Sequence, residues 1–321
     1  RAVQEQLSPA GHRVLVVSGE AGVGKSRLIA EGASAAERFG YLVLEGACFE
    51  TDRTLPYAPL LDVFRRWFAS RSSQDLGKLV GLHAAGLAQL LPEVADLTAP
   101  LTVAADLRPE AARRQVFESL SQILTGAATE RPLLLIVEDL HWSDDSTLAF
   151  LLFLARRIGS FPLRLLLTYR TDALSPELLR FLSELNRERL AGELAVLPLE
   201  RPEVDRMIRA IFAQDTPVRS EFLETVYDLS EGNPFFIEEV VRSLVVSGGI
   251  FHDADGVWDR KPLNELRIPL SVRDAVERRL GELSPAARDL VVLAAVAGRR
   301  FDVDLLLKLT NLDERTMLAQ I

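Results

Sequence analysis

The stretch Gly19-Glu20-Ala21-Gly22-Val23-Gly24-Lys25-Ser26 constrains the fold more than any other part of the chain. It fits Gly-x-x-x-x-Gly-Lys-Ser/Thr in full, the pattern of a loop that cradles phosphates with its backbone N–H groups. Such a loop works between a buried strand and the first turn of a helix, where free N–H groups and partial positive charge face the anion. The flanking sequence supplies both neighbours. Val14-Leu15-Val16-Val17 is an uninterrupted apolar run, and Leu28, Ile29 and Ala33 recur at helical spacing after the loop. Lys25 is expected to reach β- and γ-phosphates, and Ser26 to hold Mg²⁺. Gly19, Glu20, Ala21, Gly22, Val23, Gly24, Lys25, Ser26 and Arg27 form the expected binding segment.

Further apolar runs occupy residues 41–47, 133–137, 163–168 and 194–197. They are continuous, not alternating, as strands are when helices cover both faces of a parallel sheet. Amphipathic helices lie between them: Val116, Leu120, Ile123 and Leu124 share one face, as do Leu148, Leu151, Leu152 and Ala155, and Leu178, Leu182 and Leu185. The alternation predicts an α/β fold, a parallel P-loop sheet sandwiched by helices, over residues 1–200. Residues 50–110 break the rhythm. Leu60, Leu61, Phe64 and Phe68, then Leu87, Leu90 and Leu91, predict a helical insertion, with 92–109 as an irregular loop. Beyond residue 200 helices dominate, over 202–213, 220–229, 234–247, 271–280, 285–296 and 302–309. One hairpin interrupts them, its arms at 248–252 and 257–258 around a turn containing Asp255-Gly256. Ser284 before Pro285 reads as a helix N-cap.

Two of the predicted strands end in chemistry. Leu133-Leu134-Leu135-Ile136-Val137 runs into Glu138-Asp139, placing two acids at the sheet edge where open α/β sheets bind ligands. One carboxylate is expected to hold Mg²⁺ with Ser26 and the other to orient a water against the γ-phosphate; the sequence leaves open which does which. Leu165-Leu166-Leu167-Thr168-Tyr169-Arg170 ends at the same edge. Arg170 is expected to report the γ-phosphate, the alternative being a surface ion pair. The catalytic candidates are therefore Lys25, Glu138, Asp139 and Arg170, and the metal candidates Ser26, Glu138 and Asp139.

Glu138-Asp139-Leu140-His141-Trp142-Ser143-Asp144, then Thr168-Tyr169-Arg170, then Gly232-Asn233-Pro234-Phe235-Phe236-Ile237-Glu238-Glu239 follow in an order and spacing that resembles one family. It is the signal-transduction ATPases with numerous domains (STAND), within the AAA+-like P-loop NTPases. The chain is similar there to the ATPase modules of large ATP-binding LuxR-type transcriptional regulators and of some multidomain cyclases and kinases. Pro56-Tyr57-Ala58-Pro59-Leu60 resembles the same group, and the resemblance covers nearly the whole chain. It implies ATP and ADP as ligands with Mg²⁺, and Arg170 as the sensor at the phosphate end. It implies that Pro234 packs near the adenine and joins the nucleotide to a helical lid over 201–265. It also implies a winged-helix-like module over 266–321, cut short, of a kind used for intramolecular packing. Two departures stand out. Glu138 occupies the position where the family usually has Asp, and a Gly-Arg-Glu element expected ahead of the first helix is not seen. With Arg1 at one end and a helical pattern running into Ile321 at the other, the sequence reads as a piece of a longer protein.

Composition narrows the functional classes. With 321 residues, 48% of them hydrophobic, the chain has room for a core without staples. A net charge of −9 disfavours non-specific nucleic-acid binding and anionic membrane surfaces. DNA contact is therefore expected only through a region outside this sequence. Cys48 is the single cysteine, so no internal disulfide is possible, which fits a cytoplasmic setting. The four histidines lack ligand spacing. His141 and Trp142 are expected to pack the loop after the acids, Asp144 and Asp145 to cap and charge a helix start, Cys48 to be a small buried side chain, and Arg65-Arg66 to face solvent.

These readings support a regulatory ATPase switch with slow turnover, partnered by ATP, by other domains of the same longer chain and by nucleotide-dependent self-association. The alternative is an AAA+ motor or loader that forms ATP-dependent oligomers. A small-molecule phosphotransferase would need an acceptor pocket, which nothing in 50–110 identifies. A pure interaction module with a degenerate site is disfavoured by the intact Lys25, Ser26 and Glu138-Asp139 set.

Overall fold

The computed structural model describes residues 11–72, 109–252, 258–261 and 283–297, with single positions between and after them. Strands β1 (Val14–Gly19), β2 (Leu42–Ala47), β3 (Leu133–Glu138), β4 (Leu163–Arg170) and β5 (Ala191–Ala195) form one parallel sheet in the order β2-β3-β4-β1-β5. From β1 the chain crosses two strand positions to β2, works back through β3 and β4, then passes beyond β1 to β5. That reversal opens a crevice at the carboxyl end of β1. The register aligns Gly19 with Arg170 and Ala47 with Glu138.

Helices α1 (Lys25–Arg38), α2 (Ala58–Ala69), α3 (Pro109–Glu130), α4 (Asp145–Ala155) and α5 (Pro176–Arg187) cover the sheet. Side-chain alternation divides the strands between two cores. Val14, Val16, Leu133, Leu135, Val137, Leu165 and Leu167 join Leu60 and Phe64 of α2, Leu120 and Leu124 of α3, Leu151 of α4 and Phe181 of α5. Leu15, Val17, Leu134, Ile136 and Leu166 face the other way, onto Ile29, Ala33 and Ala36 of α1. Both faces exclude water, which is why the central runs of β1, β3 and β4 are almost entirely apolar, Arg164 of β4 being a buried exception. The first unit has the α/β P-loop NTPase fold.

The predicted insertion is helical where described. α2 lies hard against β2: a Cβ on Gly46 would come 2.7 Å from the Pro59 carbonyl oxygen. Leu87 and Leu91 are buried in the same core, whereas the predicted irregular stretch 92–109 lies outside the described residues except for Pro109, where α3 begins. One strand differs from expectation. The run 194–197 was expected to be a buried strand, but β5 spans Ala191–Ala195 and Leu197 is 72% exposed. β5 is an edge strand with β1 as its sole neighbour in the sheet, so it needs one paired side and little apolar surface.

The chain divides into two compact units, Arg1–Leu197 and Pro198–Ile321. In the second, α6 (Arg201–Phe212), α7 (Ser220–Ser230) and α8 (Pro234–Val246) enclose Val204, Ile208, Val226, Ile237 and Val241. Strands β6 (Ile250–His252) and β7 (Trp258–Arg260) pair antiparallel, and α9 (Pro285–Ala297) is capped by Ser284, whose Oγ accepts from Ala287 N–H at 3.1 Å. α6 opens on a capping box between Glu200 and Glu203. Gly232, at φ +78°, accepts from Leu199 N–H at 2.8 Å, and a Cβ there would lie 2.0 Å from the Leu199 carbonyl oxygen. Only glycine fits that approach. The hairpin turn at 253–256, most of the predicted helix 271–280, most of 302–309, and most of 266–321 beyond α9 lie outside the described residues. Among those described, no helix is long and apolar enough to cross a membrane.

Candidate nucleotide-binding site

Because all five strands run the same way, the carboxyl ends of β1, β3 and β4 meet on one edge of the sheet. There the loop from Gly19 leads into α1. The start of α1 differs from those of α4 and α5. α4 is capped by Asp144, which accepts from Ser146 N–H at 2.8 Å and Thr147 N–H at 3.0 Å. α5 is capped by Ser175, which accepts from Leu178 N–H at 3.1 Å. α1 has Gly24 at its N-cap, at φ +102°, with no capping side chain and no acid in the first turn. The leading N–H groups of a helix have no intrahelical acceptor, so this end has the hydrogen-bonding need that an anion satisfies.

Lys25 is buried, at 7% exposure, and folds back along the loop. Its Nζ donates to the carbonyl oxygens of Gly19 at 2.9 Å and Glu20 at 2.8 Å. Burial holds the ammonium below its ordinary pKa, while the charge of Asp139 pulls it back up. A lysine held by neutral carbonyls keeps its charge for an incoming anion. Next to it, Ser26 Oγ donates to Glu138 Oε2 at 2.8 Å. This bond ties the start of α1 to the end of β3, 112 residues apart. Burial raises the Glu138 pKa, opposed by the Ser26 hydrogen bond and reinforced by the charge of Asp139. Ser26 and Glu138 thus present a hydroxyl and a carboxylate oxygen side by side, a donor set suited to a hard divalent cation.

Asp139 takes the left-handed conformation, at φ +60°, and its N–H donates to Thr168 Oγ1 at 2.9 Å. Its carboxylate lies 3.8 Å from Nδ1 of the buried His141. Among the described residues His141 Nδ1 has no hydrogen-bond partner, and burial lowers the imidazole pKa. His141 and Trp142 do pack the short helical turn after the acids, their rings 5.1 Å apart. Arg170, opposite Gly19 at the end of β4, is paired with Asp172: Nη2 donates to Oδ2 at 2.8 Å and Nε to Oδ1 at 3.2 Å. Glu20, Gly22 and Arg27 are exposed, Ala21 is half-buried, and Gly19 and Val23 are buried. Pro234 opens α8 in the second unit, behind the Asn233 cap, whose side chain accepts from Phe235 N–H at 3.1 Å. Lys25, Ser26, Glu138, Asp139 and Arg170 therefore share one edge of one unit, and Pro234 belongs to the other.

Four participants escaped the sequence reading. Thr168 stands in the polar end of a predicted strand with no contact assigned to it, and Asp172 is not among the residues singled out from the sequence. Tyr57 was noted within a resembling segment, yet its N–H donates to Asp144 Oδ2 at 3.2 Å across the two loops. Ser143 hydrogen-bonds the Cys48 thiol, which burial pushes up to about 12. A polar residue ending an apolar strand was the available signal for Thr168; long-range partners such as Tyr57 and Asp144 leave none. Arg65 pairs with Asp62 of the same helix at 3.5 Å on the exposed side, whereas Arg66 Nη2 donates to the Glu45 carbonyl and braces α2 on β2.

Residues 1–168 match the family described as AAA ATPase domain. An uncharacterized protein of Rhizobium meliloti (strain 1021) is 29% identical over 315 residues, covering 91% of this chain and 28% of its own. The chain thus spans little more than a quarter of the curated relative it matches. Among solved structures, the Aeropyrum pernix ORC1 protein in complex with DNA aligns with a TM-score of 0.45 at 17% identity, covering 100% of this chain and 80% of that one. AMPPCP-bound DnaA from Aquifex aeolicus aligns at 0.43 and 12% identity, covering 93% and 68%. A STAND protein with a tetratricopeptide repeat sensor from Pyrococcus horikoshii aligns at 0.40 and 15% identity, covering 99% and 38%. With more than half of its length matched, the chain belongs to the AAA ATPase domain family.

Proposed function

We propose that the chain is an ATP-binding, slowly hydrolysing switch module of a larger signalling or transcriptional regulator. The observation that carries the reading is the bond between Ser26 Oγ and Glu138 Oε2 beside the buried Lys25. It joins two motifs far apart in sequence into one phosphate-and-metal pole. The uncapped start of α1 takes the phosphates, and Lys25 exchanges two neutral carbonyls for a phosphate oxygen. Ser26 and Glu138 fit Mg²⁺, which when bound neutralises charge on the β- and γ-phosphates. Asp139 orients the attacking water, and Arg170 senses the terminal phosphate. Pro234 carries the nucleotide state into a helical lid over 201–265, with a winged-helix-like module over 266–321. Binding of ATP or ADP biases the arrangement of these parts through differential contacts at the phosphate end. The resemblance to STAND and LuxR-type ATPase modules supports a regulatory output in the cytoplasm, relayed to other domains of the same chain.

Titration with MgATP tests the reading. The wild-type chain is expected to bind, and Lys25→Ala to bind about 10- to 100-fold more weakly, as for loss of a charge-assisted hydrogen bond. Equal, tight affinity in both overturns it. Sizing with ATP discriminates the motor reading: closed rings with fast, partner-stimulated hydrolysis favour a loader over a switch.

A further inference from the structure

The turn after β4 brings an acid against the candidate sensor. Arg170 and Asp172 form a two-pronged pair, at 2.8 and 3.2 Å. The turn that carries them is clasped to the phosphate loop: Thr171 N–H donates to the Gly19 carbonyl oxygen at 3.3 Å, and Ala173 N–H to the Arg170 carbonyl oxygen at 3.4 Å. That Gly19 carbonyl also accepts from Lys25 Nζ at 2.9 Å, so the turn bearing the pair and the phosphate-loop lysine are anchored on one atom. At 30% and 42% exposure neither side chain is locked in place by burial. A guanidinium fork accepts a carboxylate or a phosphoryl group with the same planar geometry. The two anions therefore compete for one cation.

We propose that Asp172 is a built-in stand-in for the γ-phosphate, and that it sets how strongly the site prefers a nucleoside triphosphate over a diphosphate. This rests on the nucleotide reading above. A diphosphate leaves the Arg170–Asp172 pair intact. A triphosphate exchanges one anion on Arg170 for another, so part of its binding free energy is offset by the ion pair it displaces. Without Asp172, Arg170 meets the terminal phosphate without that carboxylate to displace. A merely repulsive acid near the loop would behave differently. Its removal would strengthen binding of both nucleotides, and it would do so whether or not Arg170 were present.

The experiment measures dissociation constants for MgATP and MgADP in wild type, Asp172→Asn, Arg170→Ala and the double variant. Asp172→Ser repeats the measurement with a shorter side chain should the asparagine variant fold poorly. Asp172→Asn is expected to tighten ATP roughly two- to five-fold, the range for an exposed ion pair, and to move ADP less than two-fold. Added to Arg170→Ala, it is expected to leave the ATP-to-ADP ratio unchanged. A ratio that does not move in Asp172→Asn, or one that moves equally in the Arg170→Ala background, overturns the proposal while the nucleotide reading stands. A wild-type chain that binds neither nucleotide overturns both.

Discussion

Asp139→Asn is expected to lower ATP turnover by about two to four orders of magnitude while leaving MgATP affinity within a few-fold, the range for loss of a positioned general base. Glu138→Gln is expected to fail in another way, losing the dependence of binding on Mg²⁺. The two acids are neighbours, yet the fold gives them different surroundings. Glu138 ends β3 and receives the Ser26 hydroxyl, which on the proposed reading assigns it to the metal pole. Asp139 has turned into the left-handed region, with its N–H on Thr168 and its carboxylate toward His141. Single-turnover hydrolysis and equilibrium binding separate the two roles; equal losses of affinity in both variants would show that the acids share one role. Glu138 also carries a stability signature. Burial holds its folded pKa above the unfolded value, so ionising it costs stability at neutral pH, and that cost vanishes as pH falls through the folded pKa. Glu138→Gln removes the cost and can still accept from Ser26. It is therefore expected to melt higher than wild type without nucleotide at neutral pH, with the gain shrinking as the pH is lowered.

The central strands and the phosphate loop were legible because each is dictated locally. A strand covered on both faces is apolar throughout, and the runs in β1, β3 and β4 are buried along nearly their whole length. The phosphate loop needs glycines, a lysine and a hydroxyl at fixed spacing between a buried strand and a helix, and all of these can be read from one short segment. β5 was misplaced for the opposite reason: an edge strand with half-exposed positions leaves a weak apolar signal. The division of labour between Glu138 and Asp139 was not legible, since it depends on which carboxylate faces Ser26 across the sheet edge. Asp172 was invisible as well. An acid in a turn is the commonest kind of loop residue, and its partner two positions earlier was already assigned to phosphate. Asp144 was half legible: the cap on α4 follows from its place before the helix, but the contact with Tyr57 spans 87 residues.

That contact makes Asp144→Ala the substitution expected to cost the first unit most among these loops, about 2–4 kcal/mol. Asp144 accepts from Ser146 N–H, Thr147 N–H, Thr147 Oγ1 and Tyr57 N–H. Removing a helix cap costs roughly 0.5–2 kcal/mol, and leaving the Tyr57 N–H without its acceptor adds about 1–3. Tyr57 sits at φ +62°, an unfavourable conformation for an aromatic residue, and its contact with Asp144 helps hold it there. In a unit of this size the expected fall in Tm is roughly 5–15 °C. Asp144→Asn separates the two contributions. An asparagine oxygen still caps α4, but its amide group presents a donor to the Tyr57 N–H, so its Tm is expected to lie between wild type and alanine. A fall equal to that of alanine would mean that the Tyr57 contact, not the cap, carries the effect. Cys48 gives a local readout of the same junction. Its buried thiol, held near a pKa of about 12 between Ser143 and Asp144, is expected to resist alkylation at neutral pH in wild type. It should be labelled markedly faster in Asp144→Ala well below the melting temperature, because the segment that opens is the one leading from Asp139 to α4.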